Sequence, residues 1–212
     1  MILDFSRDWM FSKDGETPKR IDLPYDAMIH ETRDGECHNG VNSGYFPGGK
    51  YSYEKGIYVN EEDISKSFVL HFEGVYQDCK VFVNGVLAFS HFYGYTPFDV
   101  EITSFLKAGD NTITVSVDNS LEPNCRWYSG SGIYRPVKLL VRDKIHIERV
   151  HIETVSIRPA VIKVEVETTE ETNISIEIWD GNRLVATSVP GVITIPSAKL
   201  WSSENPYLYT CL

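Results

Sequence analysis

The sequence predicts an all-β protein built of antiparallel sandwiches, and three observations carry that prediction. Ile113, Val115 and Val117 alternate with Thr112, Thr114 and Ser116, the period of a strand with one buried and one wet face. Asn84-Gly85 stands between the apolar runs Lys80 to Val83 and Val86 to Phe89, the preferred pair for a tight hairpin whose twist suits its strands. No stretch of ten residues repeats apolar positions at a helical spacing, so short strands separated by turns are the remaining way to bury a core.

Residues 1–66 read as irregular. Leu23-Pro24-Tyr25-Asp26 and the tyrosine-rich Gly44 to Tyr53 are rich in turn residues and suggest covering loops rather than a strand core. From Ser67 the pattern is β. Phe68, Leu70 and Phe72 share one face, the Asn84-Gly85 hairpin follows, Ile102 to Lys107 has room for a single helical turn, and Gly109-Asp110-Asn111 turns into the strand Thr112 to Val117. The apolar run Val137 to Val141 ends at the charge cluster Arg142-Asp143-Lys144, where a domain boundary is expected. Beyond it the loops shrink. Ile145, Ile147, Val150 and Ile152 mark one or two strands, Ile162, Val164 and Val166 alternate with charges, and Ile174, Ile176 and Ile178 do the same. Asp180-Gly181-Asn182 announces a second hairpin. Residues 144–212 thus resemble a small immunoglobulin-like sandwich, shorter than the roughly 100 residues of a complete one. The domain reads as clipped, with Tyr207 to Leu212 as a strand in mid-course.

Composition narrows the partners. The 212 residues are 42% hydrophobic and 12% aromatic, with a formal charge of -10. That charge argues against nucleic acid or an anionic membrane, which demand clustered Lys and Arg; a neutral sugar is indifferent to it. The N-terminus lacks a basic stretch followed by an apolar one, so no signal peptide is expected and the cytoplasm is favoured. Cys37, Cys79, Cys125 and Cys211 are widely spaced with no C-x-x-C pair, which points to free thiols and against a zinc site. The histidines are scattered, and neither a metal nor a cofactor is expected.

The densest stretch is Arg126-Trp127-Tyr128-Ser129-Gly130-Ser131-Gly132-Ile133-Tyr134-Arg135. Two glycines permit backbone angles or approaches a Cβ forbids, the aromatics offer flat faces with polar edges, and the arginines offer planar forks of donors. A sugar ring, apolar on its faces and hydroxylated round its rim, would use such a surface. The competing local reading has Trp127 and Tyr134 anchoring the loop to the core and Arg135 pairing with an acid.

This stretch resembles the loop near the end of the N-terminal domain of glycoside hydrolase family 2, the β-galactosidase, β-glucuronidase and β-mannosidase family. Phe72-Glu73-Gly74-Val75, Val83-Asn84-Gly85, Gly94-Tyr95-Thr96-Pro97-Phe98, Gly109-Asp110-Asn111 and Leu200-Trp201-Ser202 with Asn205 to Tyr209 fall in the family's order. The resemblance implies a jelly-roll sandwich of the galactose-binding type over residues 1–143, followed by the immunoglobulin-like domain at 144–212 and, in the family, by a catalytic (β/α)8 barrel. It also implies a β-glycoside as the whole enzyme's carbohydrate substrate, a β-galactoside first and a β-glucuronide second. Hydrolysis takes two carboxyl groups across the scissile bond. The family carries both in the barrel, so no catalytic residue is assigned here. Asp99 and Glu101 share a strand face but read as solvated surface. The substrate-binding positions implied are Asn124, Arg126, Trp127 and Tyr128, with Arg126 foremost; Trp201 is expected in the second core. A stand-alone carbohydrate-binding module and a purely structural or oligomerising pair of domains stay open as alternatives, and a homo-oligomer is compatible with each.

Overall fold

A computed structural model describes residues 1–121 and 123–212, and the all-β expectation holds. The chain forms two compact units, Met1–Asp143 and Lys144–Leu212. Among the described residues the first contains ten strands: β1 (Ile2–Asp4), β2 (Trp9–Lys13), β3 (Lys19–Ile21), β4 (Lys50–Val59), β5 (Ser67–Phe72), β6 (Cys79–Val83), β7 (Val86–His91), β8 (Phe98–Glu101), β9 (Gly109–Asp118) and β10 (Val137–Arg142). They make a four-stranded sheet ordered β1-β10-β5-β8 and a six-stranded sheet ordered β3-β2-β4-β9-β6-β7. Every pairing is antiparallel.

Strand alternation builds the core. Phe68, Leu70 and Phe72 of β5 and Val137, Leu139 and Val141 of β10 point inward from one sheet, meeting Val81, Val83, Ile113, Val115 and Val117 of the other. Fully burying one such side chain contributes about 1.5–3 kcal/mol, so the alternating register fixes which face of each strand is inside. The hairpin falls where the sequence placed it: Val83 pairs with Val86, and Asn84 and Gly85 take φ of 51° and 80°. Asn84 also donates to Phe105 O at 3.0 Å and to Asn111 Oδ1 at 2.8 Å. The expected helical turn is a 3-10 turn at Thr103–Phe105.

Residues 1–66 are more ordered than their composition suggests. The stretch read as a covering loop, Gly44 to Tyr53, contains the start of β4, a strand of ten residues hydrogen-bonded to β9 along its whole length. Its inward residues Tyr51 and Tyr53 are buried core. Two tyrosines did the work usually given to Val or Ile, and the glycines before them with Lys50 and Lys55 to either side masked the period.

The second unit contains β11 (Ile147–Ile157), β12 (Ala160–Thr168), β13 (Ile176–Asp180), β14 (Arg183–Ser188), β15 (Gly191–Thr194) and β16 (Thr210–Cys211). The sheets are β11-β12-β15 and β14-β13-β16, around a small core of Val164, Ile176, Ile178, Ile193 and Ile195. Ile147, Val150 and Ile152 belong to one long strand rather than two, and Ile145 lies in the bend before it. Of the expected strand Tyr207 to Leu212, only Thr210–Cys211 is regular. Trp201 is not a core residue: it is 61% exposed and borders an apolar cavity of about 480 Å³ together with Ile152, Ile162, Ile178 and Leu208. Asp180 holds the segment before β16, accepting from Lys199 Nζ at 3.1 Å and from the Tyr207 hydroxyl. All four cysteines are free thiols.

Candidate functional site

The chain between β9 and β10 forms a loop that begins at a buried amide. Asn119 exchanges backbone hydrogen bonds with Gly49, N to O at 2.9 Å and O from N at 3.1 Å. A Cβ on the neighbouring Gly48 would lie 1.8 Å from Asn119 O. The Asn119 side chain then ties the loop's two limbs together. Its Nδ2 donates to Ser131 Oγ at 2.6 Å and to Gly130 O at 3.2 Å, while its Oδ1 accepts from Asn124 Nδ2 at 2.5 Å and Gln77 Nε2 at 3.4 Å. Such a network satisfies the buried Asn119 side chain and ties the limbs it joins.

The returning limb is fixed from two sides. Gly132 exchanges backbone bonds with Tyr76 at 2.7 and 3.0 Å, and Ala27 N donates to Ser131 O at 2.8 Å. Gly132 sits at φ 87° with the Tyr53 hydroxyl 1.9 Å from where a Cβ would be, so only glycine fits. Asp26 adds the third tie. One carboxylate oxygen accepts from Met28 N at 3.0 Å and Ser131 N at 2.9 Å, and the other accepts from the Tyr128 hydroxyl at 2.6 Å. Partial burial, together with the bond to Asp26, pushes the Tyr128 hydroxyl far above the usual tyrosine range, so it stays a protonated donor.

The four residues singled out from the sequence lie along this loop, each in a different setting. Asn124 is committed: its N donates to Asn39 Oδ1 at 2.7 Å, its Oδ1 accepts from the Tyr76 hydroxyl at 2.9 Å, and its Nδ2 serves Asn119. Trp127 is 58% exposed, yet its indole N–H donates to the Tyr95 hydroxyl at 2.8 Å. Tyr128 leans the other way, edge-on to Phe46 with ring centroids 6.0 Å apart. Arg126, between these anchors, is exposed, and its guanidinium makes no hydrogen bond or ion pair among the described residues. The arrangement is a pinned loop presenting a planar cation that has no partner among the described residues, next in sequence to an exposed indole.

Asp26, Tyr76, Tyr95 and Asn119 hold this geometry, and the sequence marked none of them as belonging to the site. The turn signal at Leu23 to Asp26 and the Gly94 to Phe98 motif were the visible traces. Arg135 makes no ion pair among the described residues: its Nη1 donates to Glu73 O at 3.4 Å. The Glu73 carboxylate is instead taken by Lys138 at 2.6 Å, which holds it below its ordinary range. Asp99 and Glu101 lie on the exposed face of edge strand β8, where Asp99 faces His71 Nδ1 at 2.6 Å and Glu101 accepts from Thr103 N at 3.1 Å.

Two family models match. Residues 41–143 match the model described as "Glycosyl hydrolases family 2, sugar binding domain", and residues 145–212 match "Glycosyl hydrolases family 2". The chain is 32% identical to Beta-galactosidase BoGH2A of Bacteroides ovatus, across 98% of this chain and 29% of that protein. It is also 32% identical to a putative beta-glucuronidase of Formosa agariphila, across 97% of this chain and 21% of the other. Among solved structures, a beta-glycosidase from Bacteroides vulgatus superposes with a TM-score of 0.78 at 28% identity, covering 100% of this chain and 31% of that one. The chain therefore spans less than a third of the length of these relatives.

Proposed function

Since the chain belongs to glycoside hydrolase family 2, we propose that it is the non-catalytic N-terminal part of a retaining β-glycosidase, a β-galactosidase first and a β-glucuronidase second. In this reading residues 1–143 and 144–212 are separate domains that support a catalytic barrel. The 124–128 loop lends one wall to the substrate pocket. Retaining hydrolysis needs two carboxyl groups about 5 Å apart, one as nucleophile and one as acid and base. Asp26, the carboxylate tied into the loop, has both oxygens occupied by loop donors, so the reacting pair is assigned to the barrel.

The observation that carries this reading is the contrast at Arg126: Asn124, Trp127 and Tyr128 are held by hydrogen bonds, while the exposed guanidinium has no hydrogen-bond or ion-pair partner among the described residues. A planar fork can donate two parallel bonds to adjacent hydroxyls or to a sugar carboxylate. Because the loop is already ordered by Asn119 and Asp26, binding there loses little conformational entropy. The role of Arg126 is orientation of the glycone, with Trp127 supplying an apolar face beside it; Asn124 and Tyr128 hold the loop's two sides.

The test is Arg126→Ala in the full-length protein encoded by the same gene, assayed with aryl β-galactosides and β-glucuronides. The loss of hydrogen bonds to a charged donor, about 1.5–3 kcal/mol, predicts a fall in kcat/KM of about 10- to 150-fold with an unaltered melting temperature. An unchanged kcat/KM on both sugars sinks the assignment.

A further inference from the structure

Two loops about thirty residues apart in sequence meet in an aromatic ledge that begins next to Arg126, and the pocket reading above does not use most of it. Tyr95 is the joint. Its hydroxyl accepts the Trp127 indole N–H at 2.8 Å, and its ring meets Tyr93 edge-on at 5.7 Å and Tyr76 at 5.3 Å. The 92–97 loop that carries Tyr93 and Tyr95 is itself fixed. Tyr134 donates to Gly94 O at 2.7 Å, and a Cβ on Gly94 would lie 2.2 Å from the Tyr76 ring. Yet the outer rings stay in solvent, Trp127 at 58% and Tyr93 at 60% exposure. Rings that are pinned and still exposed are not explained by core packing, and contiguous exposed aromatic surface marks a binding site.

We infer that the Trp127–Tyr95–Tyr93 ledge binds the sugar rings that follow the terminal one, so that the whole enzyme acts on oligosaccharides rather than on small glycosides. This rests on the pocket reading above, since it takes Arg126 as the place of the terminal sugar. Three features favour a saccharide. The ledge starts at Trp127, the residue next to Arg126, and runs through Tyr95 to Tyr93. Its rings have apolar faces and polar edges, matching rings that are themselves apolar above and hydroxylated at the rim. Because its N–H is already engaged by Tyr95, the Trp127 indole offers a face held in place, which lowers the ordering cost of stacking.

The experiment compares two substrates in the full-length enzyme: an aryl β-galactoside and a tetrasaccharide ending in β-galactose. Tyr93→Ala is expected to lower the ratio of kcat/KM for the tetrasaccharide to that for the aryl galactoside about tenfold, chiefly through KM. Arg126→Ala runs alongside and is expected to lower both substrates together. A Tyr93→Ala ratio that stays at the wild-type value, whether activity is retained or falls equally on both, overturns the ledge; an equal fall would identify it as a contact with another part of the protein. If Arg126→Ala leaves both substrates unaltered while Tyr93→Ala still shifts the ratio, the pocket assignment fails and the ledge stands.

Discussion

Gly132 condenses the local physics of the site into one position. It has a φ of 87°, a backbone exchange with Tyr76 on one side and the Tyr53 hydroxyl on the other. Gly132→Ala adds both a strained backbone and an overlap, and is expected to destabilise the chain by about 2–4 kcal/mol, read as a lower urea midpoint. Unaltered stability would mean that the loop has room to yield. The glycine itself was legible in the sequence, as was the concentration of aromatics and arginines around it. Its reason was not, because the crowding atom belongs to a tyrosine on β4. Asp26 makes the same point more sharply: it joins Met28, Ser131 and Tyr128, but as an aspartate in a turn it looks like any solvated one. Arg135 reads as one half of an ion pair until the fold hands Glu73 to Lys138.

Among the elements, the β6–β7 hairpin was the most legible, since its determinants are contiguous. Asn84 tolerates the left-handed region and its amide also braces the tip against Phe105 and Asn111, while its Oδ1 accepts from Thr112 N at 3.0 Å. Asn84→Ala removes all three bonds together with that tolerance, and a loss of about 1–3 kcal/mol is expected. The urea midpoint should fall with an unchanged slope; a changed slope would indicate that the hairpin frays in the native state instead. β4 shows the opposite case. Its inner face reads Tyr51, Tyr53, Lys55, Ile57, Val59, an apolar period broken by a lysine, and it became a strand because β2 and β9 offer ladders on both sides. Propensity yielded there to cross-strand pairing and burial.

At the scale of the whole molecule, the two units have very unequal cores, and a small core leaves little margin over conformational entropy. We propose that residues 1–143 fold alone and outlast residues 144–212 in denaturant. The thiols report this directly. Cys79 is fully buried in the first core, and burial pushes its thiol far above the usual range, so it should resist alkylation until that unit opens. Cys211, half-buried in the second unit, should label at lower urea; simultaneous labelling would make the chain one cooperative body. What the sequence determined by itself was everything encoded within a few residues: strand period, hairpin turns, the change of pattern near residue 143, and a loop whose composition suits a sugar. The tertiary structure decided which side chains that loop would meet. Tyr128 reaches an aspartate 102 positions away and Trp127 a tyrosine 32 positions away. A hydrogen bond is sensitive to tenths of an ångström in space and indifferent to separation along the chain, so such partners become readable only once the sheets have brought the loops together.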